Sequence, residues 1–435
     1  MTDIARLHRL YASRVASPVA VVERHLDRAH ALGTDLNAFT AILDGEAVVA
    51  AEASERRYSE GRPLSILDGI PVTVKDIVHM RGVPTTAGSR AADRDPQACD
   101  AAVVARLRQL GAVLIGKTNL LEYALGLVHP DFGPVRNPWD KERTIGGSSS
   151  GSAAAVAIGA GFASIGTDTL GSVRNPAALA GVVGFKPSFG LLPVAGTIPL
   201  APTLDHLGIL ARSVADVQAV YRATATRRDR GHYGPWRMGV ITFADVDPVV
   251  RDAFQSAVAL LRETGAAVHE IGGVPFAAAT AAGLAILYAE AIEAHRDQLQ
   301  TRAEDYSPAT RARILAGSAV EGADYAHALV VRESVRQAFR SVFASCDVIL
   351  LPTLPAPAPR EDGGGGDRGL GSAPLHTSAF NLLGLPAITL PIGRSPDTGM
   401  PIGLQIAGPE GGDGAVLRAA QIVERQRGPW RTPWA

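Results

Sequence analysis

Residues 146–174 read GGSSSGSAAAVAIGAGFASIGTDTLGSVR. A Gly-Ser turn opens the stretch, and an Ala-rich helix is expected at about 152–160. An apolar strand follows at Ala163–Thr167, and a second Gly-Ser turn closes it. Ser148, Ser149 and Ser150 sit on a glycine-flanked turn, which sets hydroxyls and backbone N–H groups beside a helix N-terminus. Such a turn can stabilise a developing negative charge. Taken alone, the stretch reads equally as a flexible loop with a serine N-cap.

Upstream, Ile70–Val78 (IPVTVKDIV) reads as a buried strand carrying one lysine, Lys75. A charged lysine among apolar residues is costly to bury. Its plainer reading is a strand-end residue reaching water or an acid. Residues 5–31 show helical spacing (Leu7, Leu10, Val15, Val19, Val22, Leu26), and 43–60 reads as a second helix. Asp100–Leu110 is helical, Ala112–Ile115 a strand, and 116–152 a Gly/Ser/Pro-punctuated connection. Downstream come Gly181–Pro187, a helix near 213–225, a strand at Arg237–Thr242, a largely helical region 275–345, and late strands at Asp347–Pro352 and Ala387–Pro391. Strands alternating with helices predict an α/β fold, a large central mixed sheet with helices on both faces. With no repeat and no clean linker, residues 1–435 read as one domain, its core at about 65–210 and a peripheral helical cap at about 275–345. EDGGGGDRGLGS (361–372) reads as a mobile surface loop, because four consecutive glycines hold a fixed backbone only at high entropic cost.

Composition narrows the function classes. Hydrophobic residues make 46% of the 435 and charged residues 20%, as in globular proteins with a substantial core. The net charge of -1 provides no basic field for nucleic acid or an anionic membrane. The two cysteines, Cys99 and Cys346, lie in no metal-ligand spacing, so neither a metal nor a disulfide scaffold is expected. The stretch Met1–Arg14 lacks the apolar run of a signal peptide. The most apolar run, Ala153–Gly166, falls short of the roughly 20 residues that span a bilayer. The expected location is the cytoplasm.

The segments LDGIPVTVKD (67–76), GKTNLLEYALG (116–126), RNPWD (136–140), GGSSSGSAAAVAIG (146–159), GTDTLGSVRNPAA (166–178), GVVGFKP (181–187), TLDHLG (203–208) and NLLGLPAITLP (381–391) resemble the amidase signature family in order and spacing, to about residue 408. The resemblance implies that Lys75 is the catalytic base, that Ser148, following a cis peptide, is a bridging serine, and that Ser172 is the nucleophile. It implies that Ser149 supports the network, and that the N–H groups of Thr169, Leu170, Gly171 and Ser172 form the oxyanion hole. Asp168 and Arg174 would brace that turn, and Tyr123, Ala124 and Leu125 would line the acyl side. The family fold closes about where this chain ends, so no attached further domain is expected.

The chemistry suits these residue types. A serine hydroxyl needs an adjacent base, and lysine serves only when neutral. Losing its proton about three pH units below its reference of about 10.4 takes a bias of about 4 kcal/mol, within the reach of burial. Lys75 would deprotonate Ser148 as Ser148 deprotonates Ser172, and water would hydrolyse the acyl-enzyme. No cofactor is implied. Two positions depart from the commonest family pattern. Ser150 and Leu170 stand where glycine is usual. Leucine resists positive φ, so the oxyanion turn is expected to differ slightly, and the Leu170 side chain to narrow the acyl pocket. Branches acting on allophanate and related ureido compounds are similar in both turns.

Two other patterns compete. Gly111–Thr118 (GAVLIGKT) satisfies the P-loop pattern. Its β-branched centre resists phosphate-wrapping turns, so a strand is expected with Lys117 and Thr118 in the loop beyond it. A His-based triad from His129, His206 or His376 lacks a nucleophile elbow, and His206 reads as a structural turn residue. The expected substrate is a small-molecule amide, carbamate or ester, processed by a monomer or homodimer with no nucleic-acid or membrane partner. Walls at Leu287–Glu290 and Tyr306–Leu315 and a gate at 363–366 are expected. The competing functional reading is an amidotransferase A-type subunit that releases ammonia from glutamine for a partner. A non-catalytic scaffold is the weakest reading.

Overall fold

In the computed structural model, which describes residues 3–125, 127–227, 236–361 and 373–433, eleven strands among these residues make one sheet. They are β1 (Phe39–Ile42), β2 (Pro71–Lys75), β3 (Val113–Thr118), β4 (Ala163–Asp168), β5 (Val183–Lys186), β6 (His206–Ala211), β7 (Arg237–Val240), β8 (Ala267–Glu270), β9 (Val348–Pro352), β10 (Ala387–Arg394) and β11 (Pro401–Ala407). Their order is β1-β3-β2-β4-β6-β5-β10-β11-β9-β7-β8. β2 is parallel to β3 and β4, and β7 to β8 and β9. The remaining neighbours are antiparallel, so the sheet is mixed, as the alternation of elements predicts.

Helices cover both faces. β2, β3 and β4 are buried along their whole length; β2 and β3 read as largely apolar runs, whereas β4 (ASIGTD) also buries Ser164, Thr167 and Asp168. The helix Ser150–Ala157 is likewise buried at every residue. Its small side chains let it lie close to the strands. Gly151 is required there, because a Cβ would come within 2.4 Å of Ala38 O and 2.5 Å of Asn119 O. A second apolar cluster joins Phe276, Ile286, Phe339 and Phe380 to Ile349 and Leu351 of β9. It holds the helices Phe276–Ala294, Gly322–Ser345 and Ala373–Leu382 against the sheet. The first of these is long and apolar enough to cross a membrane by length and composition alone. Here it packs on the other two helices.

Several boundaries move. The helical spacing over 5–31 resolves into the helices Ile4–Ala12 and Pro18–Arg28 and a π turn at Ala29–Gly33. Pro18 starts the second helix, and Ser17 caps it by accepting from Ala20 N. The strand expected to run to Val78 ends at Lys75, where Ile77 N and Val78 N both donate to Lys75 O. Lys117 and Thr118 are not in a loop. β3 extends through both, because it is paired on each side: Thr118 stands opposite Lys75 of β2 and Phe39 of β1. His206 opens β6 rather than forming a turn. The glycine-rich stretch lies outside the described residues from 362 onward, and with it the expected gate at 363–366.

Candidate active site

Because β2 and β4 are parallel, with Val74 opposite Ile165, their carboxyl ends lie side by side. β2 ends on Lys75 and β4 on Thr167 and Asp168. Open α/β sheets place ligands beyond such ends. The turn Gly146–Ser149 folds over them, and its Gly147–Ser148 peptide is cis. Lys75 Nζ donates to Ser148 Oγ at 2.8 Å and to Thr167 Oγ1 at 2.7 Å. Lys75 is fully buried and, among the described residues, has no ion-pair partner. Burial pulls its pKa down to about 7, against the opposing pull of the Asp168 and Asp205 charges.

Ser149 joins the two turns. Its hydroxyl donates to Thr167 O at 3.1 Å and accepts from Thr167 N at 3.3 Å, and its own N–H donates to Ser172 O at 3.1 Å. Ser172 is thereby held beside the Ser148 turn. Its side chain is half-buried, and Ser172 Oγ has no hydrogen bond among the described residues.

Asp168 organises the second turn. Its carboxylate accepts from Gly171 N at 2.8 Å, Val173 N at 3.1 Å, Arg174 Nε at 3.0 Å and Arg174 Nη2 at 2.9 Å. Burial would raise the Asp168 pKa, but the Arg174 guanidinium outweighs it and holds the carboxyl well below the usual range. Arg174, also fully buried, donates further to Gln405 Oε1 at 2.6 Å and Asn381 Oδ1 at 2.6 Å. Of the four N–H groups that the resemblance implies for an oxyanion hole, that of Gly171 is taken by Asp168. Those of Thr169, Leu170 and Ser172 have no acceptor among the described residues. The positive φ of the turn, 129°, falls on Gly171, where a Cβ would also meet Thr377 Oγ1 at 2.5 Å. Leu170 is not at positive φ, so leucine is accommodated without strain. Its carbonyl accepts from Thr377 Oγ1 at 2.6 Å. Its side chain faces the helix Phe276–Ala294 at Gly283.

A cavity of about 80 Å³ opens beside Thr167, walled by Ile77, Ala124, Thr169, Pro202 and Asp205 among others. Of the three residues expected on the acyl side, Ala124 lines this cavity. Tyr123 is 1% exposed, stacked on Tyr306 at 5.2 Å and edge-on to His295 at 4.5 Å. Leu125 packs on the apolar clusters beside it. Tyr123 and Ala124 both hold positive φ, 49° and 61°. A larger cleft of about 700 Å³, lined by Arg212, Asp216, Arg427 and Trp430, contains none of the expected site residues.

The rivals find no support. His206 Nδ1 bonds Leu204 O at 2.7 Å and His376 Nδ1 bonds Pro352 O at 2.9 Å. His129 Nδ1 accepts from Asp131 N at 3.2 Å. None of the three meets a serine. Lys117 is buried in β3 and ion-paired to Asp76 at 2.8 Å, so it is not free to hold phosphate. No group of metal-binding side chains occurs among the described residues, and both cysteines are free. Sequence reasoning misses Thr167, Asn381 and Gln405 as contacts of the site. Thr167 looks like any strand residue, and the other two reach Arg174 from more than 200 positions away.

Comparison with known proteins fits this geometry. The Amidase family model matches residues 20–417. The glutamyl-tRNA(Gln) amidotransferase A-type polypeptide of Anaeromyxobacter sp. (strain K) is 35% identical, over 97% of this chain and 95% of its own. A crystal structure of an amidase superposes with a TM-score of 0.91 at 35% identity, covering 98% of this chain and all of that one. The substrate complex of 6-aminohexanoate cyclic dimer hydrolase superposes at 0.86 and 26% identity, covering 100% and 99%.

Proposed function

The chain belongs to the amidase signature family, and from that premise we propose that it is a stand-alone amide hydrolase working through an acyl-enzyme. Ser172 is the nucleophile, Ser148 the proton relay and Lys75 the base. The observation that carries this reading is the buried Lys75 Nζ, bonded among the described residues only to the hydroxyls of Ser148 and Thr167, with its pKa pulled down by burial to about 7. A neutral amine there accepts the Ser148 proton while Ser148 accepts that of Ser172. The Ser172 oxygen bonds the substrate carbonyl carbon, and the oxyanion meets the open N–H groups of Thr169, Leu170 and Ser172. The relay returns a proton to the leaving nitrogen as the C–N bond breaks. Water then cleaves the ester by the reverse relay.

The apolar wall of Ile77, Ala124, Ile198 and Pro202 suits an apolar or aromatic acyl or carbamoyl group; Leu170, expected to narrow that pocket, turns its side chain to Gly283 and is not among the lining residues. Anilides, carbamates and esters are therefore candidate substrates, with aryl-acylamidase, urethanase and esterase activities in view. Residues 1–435 are read as one domain, supported by the single sheet among the described residues; a cytoplasmic location and a monomer or homodimer are part of the same proposal.

A second reading is favoured by the names of the 35% identical relatives: an A-type amidotransferase subunit that hydrolyses glutamine for a partner. Turnover of an aryl anilide, an aliphatic amide, a carbamate and glutamine by wild type and Ser172→Ala tests both. Release of amine from the anilide or carbamate, lost in Ser172→Ala, is expected. Activity on glutamine alone, or only with a partner, favours the second reading, and undiminished turnover by Ser172→Ala sinks both.

A further inference from the structure

Asp205 has no part in the relay, yet it touches both walls of the cavity beside Thr167 and the oxyanion turn. It stands just before β6, with its carboxylate at the cavity. Oδ1 accepts from Thr169 Oγ1 at 2.6 Å, and Oδ2 from Leu200 N at 2.8 Å and Ala201 N at 3.0 Å. Thr169 is the first residue of the oxyanion turn. Leu200 and Pro202 belong to the loop that walls the cavity opposite. The same loop is gripped from its other side by Glu290 of the helix Phe276–Ala294, which accepts from Thr203 N at 2.9 Å and Thr203 Oγ1 at 2.5 Å. Asp168 fixes the turn at Gly171 and beyond, but nothing in that network holds Thr169. The only side-chain tether on Thr169 among the described residues is Asp205.

We propose that Asp205 is a positioning residue for the oxyanion turn: by holding the Thr169 hydroxyl and the Leu200–Ala201 amides on one carboxylate, it aims the open N–H groups of Thr169 and Leu170 at the substrate carbonyl. The proposal rests on the serine-hydrolase reading above. Three donors converge on Asp205, the Thr169 hydroxyl on one oxygen and the two amides on the other. An asparagine can keep the amides on its oxygen and donate its NH2 to the Thr169 hydroxyl, so Asp205→Asn removes the charge and Asp205→Ala removes the tether as well. The charged groups around Asp205 are Lys75 from β2 and Glu290 from the cap helix. Its neighbour His206 is turned onto Leu204 O. Burial pushes the Asp205 carboxyl up to about 6, with Glu290 adding to the rise, so it is ionised where Lys75 loses its proton. Its negative charge favours the Lys75 ammonium.

The test uses the full-length enzyme on whichever panel substrate turns over, with kcat and KM measured from pH 5.5 to 9.5 for Asp205→Ala, Asp205→Asn, Thr169→Val, Thr169→Ser and Ser172→Ala. Loss of one oxyanion donor costs about 10²–10³ in kcat, so Asp205→Ala is expected to lose about 10² in kcat with KM nearly unchanged. Its activity limb, and that of Asp205→Asn, is expected to move to lower pH, because the charge that favours the Lys75 ammonium is gone. Asp205→Asn is expected to retain more kcat than Asp205→Ala, because its NH2 can still meet the Thr169 hydroxyl. Thr169→Val is expected to lose kcat to a similar degree as Asp205→Ala without moving the limb. Thr169→Ser, which keeps the hydroxyl, is expected to retain about tenfold more kcat than Thr169→Val. Wild-type kcat in Asp205→Ala overturns the proposal, as does a loss of kcat accompanied by an unmoved limb and a lowered melting temperature. If Ser172→Ala is inactive while Asp205→Ala is normal, only the positioning role fails. If Ser172→Ala is active, the serine-hydrolase reading itself fails.

Discussion

Two lysines, on neighbouring parallel strands, are both fully buried, and they differ in what meets the ammonium. Lys117 on β3 is paired to the Asp76 carboxylate at 2.8 Å. Among the described residues, Lys75 Nζ on β2 bonds only the hydroxyls of Ser148 and Thr167. Burial lowers the pKa of both; at Lys117 a directly bonded carboxylate, Asp76, opposes it, whereas at Lys75 only the unbonded charges of Asp168 and Asp205 do. A buried lysine with a carboxylate is a structural ion pair. A buried lysine with hydroxyls alone is poised to be neutral, and so to act as a base.

The strongest way to break this comparison is to replace each lysine by methionine. Lys75→Met is expected to lose about 10⁴-fold or more in kcat, since a relay fails as a unit. It is also expected to be more stable than wild type. Below about 10.4 the unfolded chain protonates its lysine, whereas the folded protein resists until about 7. Wild-type stability contributed by this site therefore falls as pH drops through that window, and the loss is complete below about 7. Methionine removes that penalty, worth about 4 kcal/mol at pH 7. Denaturant unfolding at pH 7 and pH 10 checks the sign, and equal destabilisation at both sinks the idea.

Lys117→Met is expected to go the other way, losing about 3–5 kcal/mol because Asp76 is left buried and unpaired. An unfolding midpoint equal to that of wild type would show that the pair contributes nothing. Smaller effects sharpen the comparison. The pH dependence of kcat/KM should rise through about 7 and level off above it, as Lys75 becomes neutral; a profile flat from pH 6 to 9 speaks against a lysine base. Thr167→Val, which removes one of the two hydroxyls on Lys75, is expected to cost about tenfold in kcat. It should also shift that limb to lower pH, because the ammonium loses an acceptor.

How much of this is legible in the sequence varies by residue. The turn–helix–strand–turn of 146–172 is readable, because the Ala-rich helix is stable only when buried and the glycines on either side mark where it and β4 begin and end. β1 and β8 are not. Each has four residues, too short for an alternation to register, and β1 is half-buried while β8 is largely exposed. β11 is hidden by the Pro and Gly of PIGLQIA, which read as loop residues until antiparallel pairing with β10 and β9 fixes them. Lys117 reads as a loop residue because a lysine next to Gly116 looks like a strand end. Its burial becomes tolerable only once the fold brings Asp76 to it.

The sequence by itself determined the family, the alternation that makes a mixed sheet, and the identity and spacing of Lys75, Ser148 and Ser172. These are local patterns or strings of residues, and they survive without coordinates. The tertiary structure alone decided which lysine is paired and which is not, that Tyr123 packs in the core while Ala124 faces the cavity, that Gly171 gives its N–H to Asp168, and that Asp205 reaches Thr169. Each of those depends on which groups from distant strands share one desolvated volume. Pairing, burial and pKa are properties of that volume rather than of any residue in the chain.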